Sequence, residues 1–162
     1  MVVKNKYRSV DEIRNRMARF CAYRERSFYE TLKKLKEYRL NREIEDQIMA
    51  FLTEENFLDD LRFAQIYARS KFYQKHWGRR KIIQGMKSHR LTGYFIKKGL
   101  EEIDPEDYNN TIRKLIRKKY ETLYEDDKRT KKHKIVRFLQ GKGYDYEEFK
   151  EILDEELKTL DT

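Results

Sequence analysis

The 162-residue sequence has one proline, six glycines and one cysteine. With so few breakers, long stretches can run helical without interruption. Cys21 has no partner for an internal disulfide, so a reducing compartment is expected. Apolar runs are short as well. None approaches the roughly 20 residues that a membrane-spanning helix needs. Met1–Phe20 lacks the continuous apolar stretch of a secretory leader. A cytoplasmic protein without membrane contact is the expectation. His76, His89 and His133 have no zinc-ligand spacing, so no metal is expected. A glycine-rich phosphate loop and a nucleophile elbow are also missing. The chain therefore reads as a non-enzyme, with no catalytic residue and no cofactor.

The most informative absence is of negative charge. Between Asp60 and Glu101, residues 61–100 hold eleven Lys or Arg, seven aromatics and no Asp or Glu. Like charges repel and weaken a folded state, so a one-signed field points to an acidic partner. The whole chain carries 38 Lys and Arg against 29 Asp and Glu, a formal +9. Residues 1–56 carry 13 basic and 10 acidic groups, residues 57–104 carry 11 and 5, and residues 105–162 carry 14 and 14. The last third is polarised: Lys128–Lys142 is basic, whereas Asp145–Asp161 is mostly acidic.

What is present points to an all-α fold. A charged fraction of 41% leans towards disorder, but aromatics at 14%, set at helical spacing, lean towards a packed core. Helix starts can be read from caps. Ser27 with Glu30 forms a capping box, and Asn41 and Asp145 are N-cap candidates. Asp59 has Leu58 before it and Phe63 four residues after it, the spacing of a hydrophobic staple. Ile103, Asp104 and Tyr108 repeat that pattern, with Pro105 at the first helical position. Gly78 can cap a helix onto which Trp77 staples at Ile82. Gly141-Lys142-Gly143 reads as a helix end and turn. Nine helices follow: Val10–Arg24, Ser27–Tyr38, Asn41–Glu54, Asp59–Lys75, Gly78–His89, Thr92–Glu102, Asp104–Leu123, Asp127–Gln140 and Asp145–Leu157.

These helices fall into three groups of three. Thr31, Leu35 and Leu40 align with Ile82, Met86 and Leu91, and then with Ile135, Leu139 and Tyr144. A repeat near fifty residues predicts tandem three-helix modules in an elongated, curved molecule. The expected modules are 1–56 (with an N-terminal arm), 57–104 and 105–162. Each is too small for a large core, so neighbours must share stability. A concave face is then a natural binding surface.

The second module supplies the candidate contacts. On the helix from Gly78, Ile82, Ile83 and Met86 form the buried side. Arg80, Gln84 and Lys87 form a line opposite, with Lys81 beside it. On the preceding helix, Arg62 and Arg69 flank the Phe63/Ile66/Tyr67 stripe on one edge, and Lys71 and Lys75 on the other. Arg69, Lys71, Lys75, Arg79, Arg80, Lys81 and Lys87 are the expected partner-binding residues. Asp59 and Asp60 are read as helix caps rather than as acid–base or metal groups.

Two segments also carry a family resemblance. Phe57-Leu58-Asp59-Asp60-Leu61-Arg62-Phe63-Ala64, followed by Trp77-Gly78-Arg79-Arg80-Lys81-Ile82, resembles the RecX family of recombinase regulators. Arg24-Glu25-Arg26-Ser27 resembles the start of that family's first module. The sequence departs at Arg90, where the family usually has Gly, and it carries Gly85 inside a helix. The resemblance implies tandem three-helix modules and a non-enzymatic role. That role is binding the RecA–single-stranded-DNA filament and limiting its ATPase and strand exchange. A monomer is expected. Two other readings remain: a helical DNA-binding protein acting without RecA, and an adaptor for another acidic protein.

Overall fold

A computed structural model describes residues 9–124 and 127–162. Among them lie nine α-helices and no strand. They are α1 (Val10–Tyr23), α2 (Phe28–Leu35), α3 (Arg42–Glu54), α4 (Asp60–Arg69), α5 (Arg79–Ser88), α6 (Gly93–Leu100), α7 (Pro105–Tyr120), α8 (Lys128–Gly141) and α9 (Tyr146–Leu160). The first and third helices of each group pack together, α1 on α3, α4 on α6 and α7 on α9. Caps fix the starts. Ser27 and Glu30 form the capping box of α2, and Asp145 and Glu148 that of α9. Asn41, Asp59, Asp104 and Asp127 each accept a first-turn backbone N–H.

The fifty-residue repeat holds in three dimensions. Thr31, Leu35, Ile82, Met86, Ile135, Leu139 and Tyr144 are all fully buried, Leu91 is nearly so, and Leu40 is half-buried against the first core. The residue before the last repeat position in each copy, Arg39, Arg90 and Gly143, has a positive φ of 54°, 57° and 99°. Each middle helix therefore ends in the same left-handed turn, and the next apolar side chain folds back under it. Arg90 makes this turn without glycine, and its guanidinium lies 4.5 Å from the Tyr29 ring centroid. Gly85 is explained by packing, because the Tyr67 ring tip occupies the space that a Cβ would need.

Two helices change type before their expected ends: the segment expected as Ser27–Tyr38 is α-helical to Leu35 and tightens into a 3-10 turn over Lys36–Tyr38. The segment expected as Asp59–Lys75 is α-helical only to Arg69 and then widens into a π-turn over Ser70–Gln74. The wide turn buries Phe72, sets His76 at φ 57°, and lets the Trp77 N–H donate to the Lys71 carbonyl at 3.1 Å.

The core is divided unequally. Ile13, Met17, Cys21, Leu35, Ile48, Met49, Leu52 and Leu58 form one cluster within α1–α3 and the residues after them. A second, larger cluster runs without a break from Phe63 to Leu157, through α4–α9. The second and third modules thus share one apolar interior, and the first has its own. Among the described residues, no helix is long and apolar enough to cross a membrane.

Candidate functional site

The turn from Lys75 to Gly78 is clamped to the turn from Lys142 to Tyr144. The Gly78 N–H donates to the Lys142 carbonyl at 2.8 Å, and the Arg80 N–H to the Gly143 carbonyl at 3.0 Å. The Tyr144 hydroxyl donates to the His76 carbonyl at 2.9 Å. The Tyr108 hydroxyl accepts from the Arg79 N–H at 3.0 Å and donates to Glu148 Oε2 at 2.7 Å. Burial holds the Tyr108 phenol far above its ordinary range, which keeps it protonated as a donor.

The expected arginine contacts lie in ion pairs. Arg79 Nη1 is 3.3 Å from Glu148 Oε1, with its guanidinium over the Tyr108 ring. Arg80 Nη1 is 3.3 Å from Asp145 Oδ1, and its Nη2 donates to the Gln140 carbonyl at 2.6 Å. Arg69 Nη1 is 3.2 Å from Glu102 Oε2. Arg79 and Arg80 therefore join the second module to the third, which accounts for much of the acid-free block's need for acidic partners. Those acids open the acidic stretch of the third module.

The lysines differ. Among the described residues, Lys71, Lys75, Lys81 and Lys87 form no ion pair. Lys71 Nζ and Lys81 Nζ lie 4.8 and 4.5 Å from the Trp77 ring centroid, a cation–π arrangement. Sequence reasoning missed their neighbours in the third module. Lys142 Nζ donates to the Lys75 carbonyl at 3.3 Å. Its ammonium is pushed below its ordinary range by burial, and then by the charges of Lys81 and Lys118. Buried His76 Nδ1 has no hydrogen-bond partner among the described residues. Burial and the charges of Lys142, Lys114 and Lys118 disfavour its protonation. Lys71 and Lys81 thus flank Trp77, Lys142 reaches the Lys75 carbonyl beside them, and Lys118 lies within electrostatic reach of Lys142, whereas Lys87 is exposed near the far end of α5.

A second junction joins the first and second modules, and it is polar. Asp60 does not cap its own helix; its Oδ1 accepts the Phe28 N–H at the start of α2 at 2.9 Å. Arg62 Nε pairs with Glu25 Oε1 at 2.8 Å, and its Nη2 reaches the Asn56 carbonyl at 3.1 Å. His89 Nδ1 is 2.8 Å from Ser27 Oγ, and its ring packs 4.7 Å from that of Phe63. Burial holds the His89 pKa below 6.5, with Glu30 and Asp60 opposing and Arg24 and Lys71 reinforcing. The folded chain thus binds fewer protons at His76 and His89 than the unfolded chain does. The stability this gives is present above pH 6.5 and is lost as pH falls below it. The urea midpoint is expected to fall between pH 7.5 and 5.5, and His76→Gln with His89→Gln to flatten that slope. An unchanged slope in the double variant would refute the assignment.

Comparisons with known proteins agree with this architecture. Residues 59–100 match the family model for the second three-helix domain of RecX, and residues 106–153 that for the third. The chain is 33% identical over 111 residues to the regulatory protein RecX of Clostridium tetani, covering 67% of this chain and 50% of that protein. It is 34% identical over 125 residues to RecX of Clostridium perfringens strain 13, covering 74% and 58%. The matches thus span only half to three-fifths of these relatives' own length. The crystal structure of RecX from Lactobacillus salivarius superposes with a TM-score of 0.82 at 19% identity, over 94% of this chain and 96% of that one. A second crystal structure of a regulatory protein RecX gives 0.80 at 23% identity, over 90% and 71%. Two matched domain models, relatives at this identity and the shared all-α repeat fold place the chain in one family: it belongs to the RecX family.

Proposed function

We propose that this protein binds the RecA–single-stranded-DNA filament and limits its ATPase and strand exchange. Family membership supports the choice of RecA, and the lysine surface around Trp77 supports an acidic partner. In this reading Lys71, Lys75, Lys81 and Lys87 contact the filament directly. Arg69, Arg79 and Arg80 contribute from one step behind, each anchored on a carboxylate of this chain. The carrying observation is that Lys71, Lys75, Lys81 and Lys87 have no ion pair among the described residues, while the module-joining Arg79 and Arg80 do and Lys98 pairs only with Glu101 at the end of its own helix.

The test is RecA's single-stranded-DNA-dependent ATP hydrolysis, titrated with this protein at several salt concentrations. Hydrolysis is expected to fall as the protein is added, and strand exchange to slow in parallel. Unchanged hydrolysis at every salt concentration sinks the reading. The unpaired lysines also favour a second reading, a DNA-binding protein acting without RecA. Equal affinity for naked strand and for filament, both falling linearly with log salt, supports that alternative.

A further inference from the structure

We propose that the phosphodiester backbone of a single strand lies along a lysine row that crosses from the second module into the third, through Lys71, Lys81, Lys142 and Lys118. It deepens the filament reading, and rests on it only in taking the strand to be the one the filament carries.

The row is a product of folding. Lys71 precedes Trp77 on the π-turn, and Lys81 follows it on α5. Both ammoniums are held on the indole, which fixes their positions without neutralising them. Lys142 belongs to the turn after α8. Gly143, next to it, packs so closely on Lys81 that a Cβ on Gly143 would come within 2.7 Å of the Lys81 N. Two cations 61 residues apart in sequence are thereby neighbours. Lys118 on α7 continues the field, close enough to act on Lys142 and His76.

Phosphate fits this row better than protein carboxylate does. Lysine is depleted in protein–protein interfaces relative to the rest of the surface. Nucleic-acid interfaces are much more positively charged. The arginines, whose planar fork suits a fixed carboxylate, pair with Glu148, Asp145 and Glu102 of this chain. Lys71, Lys81, Lys118 and Lys142, which have no ion pair among the described residues, are point charges on flexible stems, which suit a strand whose phosphates repeat without a fixed orientation. Like charges held this close repel, and a polyanion relieves that repulsion in proportion to the number of lysines it meets.

The test uses the full chain without RecA and a fluorescent oligothymidylate, read by anisotropy across salt concentrations. Lys118→Gln with Lys142→Gln is expected to lower affinity roughly tenfold at low salt and to reduce the log–log salt slope by about 1.4. Lys71→Gln with Lys81→Gln should do the same. Circular dichroism shows whether losing the stems packed on Trp77 has changed the fold. Lys33→Gln with Lys158→Gln removes equal charge elsewhere and should change affinity less than twofold. A peptide nucleic acid of the same bases, with no phosphates, should not bind. Row variants that match the control pair overturn the proposal. So do row variants that bind the oligonucleotide normally yet lose the RecA filament, because the row then reads protein carboxylates. A wild-type protein that leaves RecA hydrolysis untouched, but needs the row for oligonucleotide, counts for the row and against the filament reading.

Discussion

Gly78→Ala is expected to cost about 3 kcal/mol or more and to separate the second module from the third. Gly78 has φ −76° and ψ 166°, a conformation open to any residue. Its requirement is one of distance. A Cβ there would overlap the Gly143 carbonyl and sit 2.5 Å from the Tyr144 N. Both are backbone, so no side-chain rotation relieves the clash. The two turns must part, and the Gly78 and Arg80 N–H groups then lose their acceptors. Each buried donor left without a partner costs about 1–3 kcal/mol. The Tyr144–His76 and Tyr108–Arg79 bonds loosen with them. Gly93→Ala is the control, because a Cβ there meets nothing within 4 Å. It begins α6, so alanine should be neutral or stabilise by up to about 1 kcal/mol. Urea titration of both variants checks the contrast. A Gly78→Ala midpoint equal to that of Gly93→Ala would show that the turns are not clamped.

Much of this architecture is legible in the sequence because repeats and caps are local. Ile82, Met86 and Leu91 recur at fixed offsets, and each capping side chain lies within three residues of the N–H it accepts. The π-turn leaves no such mark. Ser70–Gln74 contains no breaker, and the wide turn arises because Phe72 and Trp77 both have to reach the shared core. The arginine pairs are hidden for a different reason. Arg79 and Glu148 are 69 residues apart, as are Arg80 and Asp145 by 65, so no window along the chain contains both charges. One signal did point to them: a module of +6 is followed by a third that turns acidic at Asp145. The same arithmetic conceals Lys142 and Lys118, because a net charge of zero over residues 105–162 averages a basic face with an acidic one.

The division between arginine and lysine follows from their chemistry. Joining two modules requires a fixed geometry, and a guanidinium supplies it by bonding carboxylate and carbonyl together, as Arg80 does with Asp145 and Gln140. Meeting a mobile partner requires charge without fixed orientation, which the lysine ammonium supplies. One basic block can therefore serve both cohesion and recognition. Arg80→Glu, though it lies on the exposed line of α5, is as much a test of module docking as of partner binding.

Leu35→Ala is expected to unfold the first module while leaving the other two folded. Leu35 is fully buried among the eight side chains of the smaller core, and removing three of its carbons costs about 2–5 kcal/mol. So small a core has little to spare. What ties α1–α3 to the next module is mostly polar: Ser27–His89, Phe28–Asp60, Arg62–Glu25 and the Arg90 guanidinium over the Tyr29 ring. Bonds of this kind contribute about 1 kcal/mol each and transmit little cooperativity compared with a shared apolar interior. Ile135→Ala, an equivalent truncation in the larger core, should lower protection across α4–α9 together, because that cluster spans both modules. Hydrogen exchange read peptide by peptide distinguishes the two patterns. For Leu35→Ala, amides of α1–α3 should exchange early while those of α4–α9 keep their protection. Uniform loss would mean that the polar junction couples all three modules into one cooperative body. Because Lys71, Lys81, Lys118 and Lys142 all lie on the larger body, the variant should also keep its salt-dependent affinity for oligothymidylate. Any loss in filament binding would then measure what the first module adds.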